Sequence, residues 1–199
     1  MSNPYAGWKY DNGPSIFDRT NVAFVNFVYD IPILKNSDNH LLKATVGGWE
    51  VSGIVTMESG APLNIGLTGS NITSIIPESS NRPNLTGTIS YPHTVNEWFN
   101  PAAFSDPAPG AWGDLGHDAL RGPGRDNWNL SLFESFLISE SRGSRLEIRA
   151  ESFNTWNHTQ FEGNVNGGGI STNLGASNFG AVTSAYDPRV FQFGGKLLF

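Results

Sequence analysis

Residues 127–153 read NWNLSLFESFLISESRGSRLEIRAESF, two segments of alternating side chains around a short polar turn at 140–144. Glu134 is the one interruption on the apolar side of the first segment. The other members of that side are Trp128, Leu130, Leu132, Phe136 and Ile138. In the second segment, Leu146, Ile148 and Ala150 face one way. The opposite side consists of Arg145, Glu147, Arg149 and Glu151. A period of two residues is typical of β-strands with two different faces.

Three further stretches favour the strand conformation, because they alternate or are rich in β-branched and aromatic residues. They are residues 20–32, 47–64 and 189–199, the last containing VFQFGGKLLF. Together with 127–139 and 145–156 they make five predicted strands. Each has the roughly 9–11 residues or more that a tilted strand needs to cross a bilayer. The sequence therefore predicts an all-β chain, an antiparallel meander of about five long strands.

The connections between these strands alternate in length. Polar turns are predicted at 33–46 and 140–144, whereas 65–126 and 157–188 are long and rich in glycine, proline or asparagine. Outer-membrane β-barrels have short periplasmic turns and long extracellular loops. We therefore expect part of a barrel wall with a long extracellular loop at about 66–125, containing short strands or a helical turn near 95–99. The terminal strand, 189–199, then ends at the periplasmic rim.

Composition excludes several classes of protein. The 199 residues include 12 basic and 18 acidic side chains, a formal net charge of −6, so there is no basic surface for nucleic acid. The absence of cysteine excludes disulfides, thiolate metal sites and a cysteine nucleophile. The sequence contains no run of 18 apolar residues, the length that a membrane-spanning helix needs. A barrel remains possible, because its strands need only alternate.

No motif indicates catalysis. Residues 113–124, GDLGHDALRGPG, place His117 beside Asp118, but no serine or cysteine lies in a nucleophile elbow. We interpret this segment as a glycine-supported surface loop. The four histidines lack metal-ligand spacing, and GNVNGGG at 163–169 lacks the lysine and helix of a phosphate loop. We therefore expect no enzyme activity, no catalytic residue, no metal and no cofactor.

Two groups of side chains are candidates for ligand contact. Aromatic residues of the long loop could stack on sugars or hold apolar groups, although they could instead pack the loop against itself or plug a barrel mouth. Arginines of the charged strand could select anionic solutes in a lumen, although pairing with Glu147 and Glu151 is the simpler account. The candidates are Trp98, Phe99, Phe104, Trp112, Arg145 and Arg149.

Specific stretches, spread in order over nearly the whole chain, resemble the C-terminal barrel portion of TonB-dependent receptors. The resemblance is greatest to the Oar-like group, which carries a carboxypeptidase-regulatory-like domain. The matching stretches are FDRTNVAFVNFVYDIP (17–32), GGWEVSGIVTMESGAPLNI (47–65), NRPNLTG (81–87), WFNPAAFSDPAPGAWGDLGHDALRGPGRDNWNLSLFESF (98–136), RLEIRAESFNTWNHTQF (145–161) and FGAVTSAYDPRVFQFGGKLLF (179–199).

The resemblance implies a barrel of about 22 strands with an internal plug, energised from the inner membrane. It also implies that Phe191, Phe193, Leu197 and Phe199 form the signal read by the barrel-assembly machinery. Implied partners are outer-membrane lipid, that machinery, the plug and remaining strands, and TonB through an N-terminal part. Because five strands are under a quarter of such a wall, we expect residues 1–199 to be a C-terminal fragment of a receptor in the bacterial outer membrane. It would contribute wall and extracellular loops to substrate uptake.

A second interpretation is a secreted carbohydrate-binding β-sandwich. Its strands would also alternate, but the apolar sides would pack between two sheets and the charged sides would be solvated. The loop tryptophans would then form a sugar platform. A hydrolase is a third possibility, for which the sequence offers no triad, carboxylate pair or metal cluster.

Overall fold

The computed structural model describes residues 6–32, 47–67, 81–163 and 168–199. The predicted turn at 33–46 lies outside these residues. The chain divides into two compact units. The first, called the sheet unit, consists of Val22–Met57, Asp126–Thr159 and Asp187–Phe199. The second, called the loop unit, consists of Met1–Asn21, Glu58–Arg125 and Gln160–Tyr186.

Within the described residues the regular elements are almost all strands. The strands are β1 (Val22–Asp30), β2 (Glu50–Glu58), β3 (Pro62–Leu63), β4 (Gly66–Leu67), β5 (Asn84–Leu85), β6 (Phe104–Ser105), β7 (Leu120–Arg121), β8 (Arg125–Ser139), β9 (Ser144–Phe153), β10 (Asn173–Leu174) and β11 (Val190–Leu198). Two short 3-10 helices span Trp8–Asp11 and Pro101–Ala103. No helix in this part of the chain is long and apolar enough to cross a membrane.

The five long strands form one antiparallel sheet in the order β1-β2-β8-β9-β11. At the two ends of the β1–β2 pair, the amide of Ile31 donates to the carbonyl oxygen of Trp49 at 2.8 Å, and that of Ser59 donates to Asn21 at 2.9 Å. The turn between β8 and β9 is tight, and Gly143 takes its left-handed conformation with φ +66. The predicted meander of five strands is confirmed.

The register of the sheet separates two faces. On the apolar face, Phe136 lies opposite Leu146, and Phe193 lies opposite Ala150. Large side chains of this face are open to the surroundings, with Phe193 78% and Leu197 55% exposed. A β-sandwich would bury such side chains between two sheets, so the sandwich interpretation does not describe this sheet.

Glu134 is the acidic residue on the apolar face, and the structure explains how it is accommodated. Its side chain is buried rather than projecting outward. A Cβ atom on Gly48 would lie 2.9 Å from Glu134 Oε1. The carboxylate therefore occupies the space that the glycine leaves free.

The loop unit contains the short strands. β3 pairs with β7 and β5 with β6 in antiparallel fashion, while β4 pairs with β10 in parallel. The buried core consists of Leu63, Ile65, Phe99, Ala103, Phe104, Leu115, Leu120 and Ile170. Short strands were predicted here, but the helical turn expected near 95–99 lies at Pro101–Ala103 instead. Proline presets the backbone for the first helical position, which fixes where this turn begins.

Candidate functional site

The charged face of the sheet unit is the first candidate site. Arg145, Glu147, Arg149 and Glu151 project from the same side of β9, as the alternation predicted. Their neighbours on β8 include Ser131 and Ser135, and those on β11 include Gln192 and Lys196. The face therefore mixes hydrogen-bonding and ionic groups with apolar side chains such as Phe133, which lies opposite Arg149.

Two cavities lie along this face, and Arg149 contributes to both. The larger, about 680 Å³, extends from β1 to β9, and its polar lining is provided by Asn26, Glu50, Ser52, Asn129, Ser131 and Glu151. The smaller, about 390 Å³, lies between β8, β9 and β11. Arg145 lines neither of them. It lies beside the β8–β9 turn, opposite Leu137 and Leu198. The two arginines therefore share a face of β9, but only Arg149 lines a cavity.

Arg149 is only loosely held by its neighbours. Its Nη1 atom forms an ion pair with Glu151 Oε1 at 3.7 Å, which is too long for a hydrogen bond. For Arg149 and Glu151, this confirms the pairing within β9 that the sequence favoured. The guanidinium lies 5.8 Å from the centre of the Phe133 ring, a separation at which cation–π attraction orients the group. The side chain is 57% exposed, so it can still donate hydrogen bonds to a solute.

Two of the four aromatic candidates of the long loop are core residues. Phe99 is fully buried and Phe104 is 6% exposed. Their rings meet edge to face at 5.6 Å, and both contact Phe179, at 5.2 Å and 5.9 Å. These two side chains pack the loop against itself and present no surface to a ligand.

Trp98 and Trp112 are half-buried at the surface of the loop unit. The Trp98 indole donates to the carbonyl oxygen of Arg121 at 3.0 Å, and its ring lies 4.5 Å from the exposed His93 ring. Trp112 meets Tyr10 edge to face at 6.3 Å. Ligand contact by these two tryptophans stays a prediction, whereas their contacts within the loop unit are shown.

The segment 113–124 is not a surface loop, and that expectation was wrong. Leu115, Asp118 and Leu120 are all buried. This segment packs closely against the backbone of Arg82. Gly113 permits the contact, because a Cβ atom there would overlap the carbonyl oxygen of Arg82. The apolar residues on either side of the His-Asp pair were the sequence signal for this burial, and the surrounding glycines masked it.

Asp118 has an unusual environment. His117 Nδ1 lies 3.0 Å from its Oδ2 atom, yet neither carboxyl oxygen has a hydrogen-bond partner in the described structure. Nearby, the Arg82 guanidinium donates to the carbonyl oxygen of Tyr10 at 2.6 Å and pairs with the Asp11 carboxylate. Burial raises the pKa of Asp118 above its usual 3.8, while the charges of His117 and Arg82 oppose that rise.

This raised pKa predicts how the stability of the loop unit changes with pH. The pKa of this carboxyl group is higher in the folded state than in the unfolded state, so the folded state is favoured while the group is protonated. The free energy of unfolding should therefore fall as the pH rises from about 4 through the raised pKa, and Asp118→Asn should flatten this fall. Thermal unfolding at several pH values, followed by tryptophan fluorescence, measures the effect. Asp106→Asn, at an exposed site of the same unit, is the control. A wild-type slope in the Asp118 variant would contradict the prediction.

The strand β11 carries an exposed row of large apolar side chains. Phe191, Phe193 and Leu197 share one face of β11, and Phe199 follows the strand with 99% exposure. At the end of the described sheet, β11 has a hydrogen-bonded neighbour on one side, β9, and β1 is the opposite edge.

Long strands with one apolar face and one face that carries ions are the pattern of the wall of a membrane-spanning β-barrel. Among the described residues the five strands form an open sheet with edges at β1 and β11. A bilayer requires closed sheets, so these strands correspond to part of such a wall. A family model described as outer membrane beta barrel domain matches residues 1–192. The chain belongs to this family and is an outer-membrane protein, which confirms the predicted fold class and location. No curated protein and no solved structure matches it.

Proposed function

We propose that this chain is part of the barrel of a TonB-dependent receptor of the Oar-like group, contributing wall and extracellular loops to substrate uptake across the outer membrane. In this proposal its partners are outer-membrane lipid, the plug and remaining strands, the barrel-assembly machinery and, through an N-terminal part, TonB. The role is one of binding and transport, with no enzymatic step and no cofactor.

The observation that carries the proposal is the folded state of the long connections. The segments between β2 and β8 and between β9 and β11 form a unit with its own core, including the contact of Phe99 with Phe104 and Phe179. A pre-organised loop surface favours selective capture of a ligand, because little conformational entropy is lost on binding. A simple diffusion pore needs only an open lumen.

Growth experiments in the native bacterium test the proposal. Strains lacking the protein, lacking TonB or lacking both are grown with a ferric siderophore, a peptide mixture or an oligosaccharide mixture as the limiting nutrient. On at least one nutrient, both single mutants should grow poorly and the double mutant no worse than either. Growth that never depends on this protein, or a defect that adds to that of TonB loss, would contradict the proposal.

The proposed contact with the assembly machinery predicts an effect of the last residue. Deleting Phe199 should lower the amount of folded protein in the outer membrane several-fold, because in this proposal Phe199 belongs, with Phe191, Phe193 and Leu197, to the signal that the machinery reads. The heat-dependent shift of the band on denaturing gels measures the folded amount. Phe17→Ala, which removes another exposed phenylalanine, should leave it unchanged. An equal yield from the Phe199 deletion would remove this partner from the proposal.

A further inference from the structure

The cavity of about 390 Å³ between β8, β9 and β11 has a balanced set of charges. It is lined by the acids Glu147 and Glu151 and by the bases Arg149 and Lys196. The register places Lys196 opposite Glu147, and Gly194 opposite Arg149. All four ionic side chains therefore project from one face, into one cavity.

The charges are only partly satisfied by one another. Arg149 and Glu151 form an ion pair at 3.7 Å, which is too long for a hydrogen bond. Lys196 and Glu147 are cross-strand neighbours. The Arg149 side chain is 57% exposed, so its N–H groups can still donate hydrogen bonds to an anionic group of a solute.

Gly194 leaves the space beside Arg149 open. A Cβ atom at this position would meet nothing within 4 Å, so a larger residue would fit the fold but would fill the cavity. Facing residues across two strands lie about 5 Å apart, and diagonal ones about 7–8 Å. A dipeptide, at roughly 3.5 Å per residue, separates its two charged ends by a comparable length.

We propose that this cavity binds a small zwitterion, an amino acid or a short peptide with a free amino group and a free carboxyl group. Arg149, oriented by Phe133, and Lys196 hold the carboxylate, because a guanidinium can bind both of its oxygens. Glu151, which lies on the other side of Arg149 from Lys196 in the register, holds the ammonium group, and Glu147 stays beside Lys196. This names the substrate class of the proposed uptake function and rests on it, although binding itself requires neither TonB nor transport.

Two glycine variants of β11 test the proposal. Full-length protein is purified in detergent and titrated with L-alanyl-L-alanine in a calorimeter. Gly194→Val should weaken binding by about tenfold or more, since its side chain occupies the cavity. The matched control is Gly195→Val, whose side chain projects from the opposite face and also meets nothing within 4 Å. The control should bind like wild type, and the heat-dependent gel shift establishes that both variants fold.

Blocked peptides test the assignment of the two ends. Acetylating the amino group or amidating the carboxyl group should each weaken binding about tenfold, which corresponds to about 1.4 kcal/mol. In the double variant Arg149→Gln, Lys196→Gln, which removes both groups assigned to the carboxylate, the free and amidated peptides should bind equally. Absence of binding to folded wild-type protein, equal binding by the two valine variants, or indifference to blocking would overturn the proposal. Dipeptide binding without TonB-dependent growth would contradict the receptor assignment and leave the binding proposal standing.

Discussion

Replacing Phe193 with arginine is expected to reduce the fraction of protein that folds into the membrane by an order of magnitude or more. Phe193 lies in the middle of β11 on the apolar face, where it is 78% exposed. An arginine on the lipid-facing side of a barrel costs about 2–4 kcal/mol at the bilayer midplane. That is a large share of the roughly 5–15 kcal/mol by which proteins are stable. Urea titration of the protein refolded into lipid vesicles gives the change in unfolding free energy.

The adjacent residue provides the control for this experiment. Gln192 projects from the opposite, ionic face and lies opposite Glu151, so Gln192→Arg adds a charge where water and a carboxylate can accept it. The free energy of unfolding of this variant should stay within about 0.5 kcal/mol of wild type. Equal destabilisation by both arginines, or none by either, would show that the face of Phe193 does not meet lipid.

The long strands were predictable because their two faces meet different surroundings. The predicted segment 20–32 contains β1, Val22–Asp30, and the predicted segment 145–156 differs from β9, Ser144–Phe153, by a few residues. A period of two is imposed wherever one side meets an apolar phase and the other meets water. The predicted segment 47–64 was too long, because β2 ends at Glu58 and Pro62–Leu63 pair with β7 in a separate two-stranded sheet. Hydrogen bonding rather than polarity decides where the pairing of a strand stops.

The loop unit was not predictable in the same way. Its organisation depends on contacts between distant segments, such as the bond from the Tyr10 hydroxyl to the carbonyl oxygen of Gly113 at 2.8 Å. No local period records such a contact. Many glycines suggested an exposed loop, whereas Gly113 permits a close backbone approach to Arg82. Asp118 was therefore placed at a surface when it is buried.

The charged face was predictable in part. Alternation along β9 correctly placed its four ions on one side, and alternation along β11 placed Lys196 on the less apolar side of that strand. The sequence could not show that Lys196 and Glu147 become neighbours, because that depends on the β9–β11 register. Nor could it show that Gly194 leaves a cavity beside Arg149. Register, not composition, creates the proposed site.

Phe99→Ala should destabilise the loop unit by about 3–5 kcal/mol, the usual cost of truncating a buried phenylalanine. Its ring is fully buried and contacts both Phe104 and Phe179, so truncation leaves a cavity at the centre of the core. Limited proteolysis of the protein in detergent measures the effect. Cleavage within residues 81–124 should become much faster, while the strands of the sheet unit stay resistant.

Phe17→Ala is the matched control, because it removes the same ring from a site of the loop unit that is 77% exposed. Its cleavage rate should match that of wild type, since exposed substitutions usually change stability by less than about 0.5 kcal/mol. If the two variants are cleaved equally fast, the aromatic cluster does not stabilise the loops. If Phe99→Ala also exposes β8 and β9 to protease, the two units unfold together and the loops are not an independently folded receptor surface.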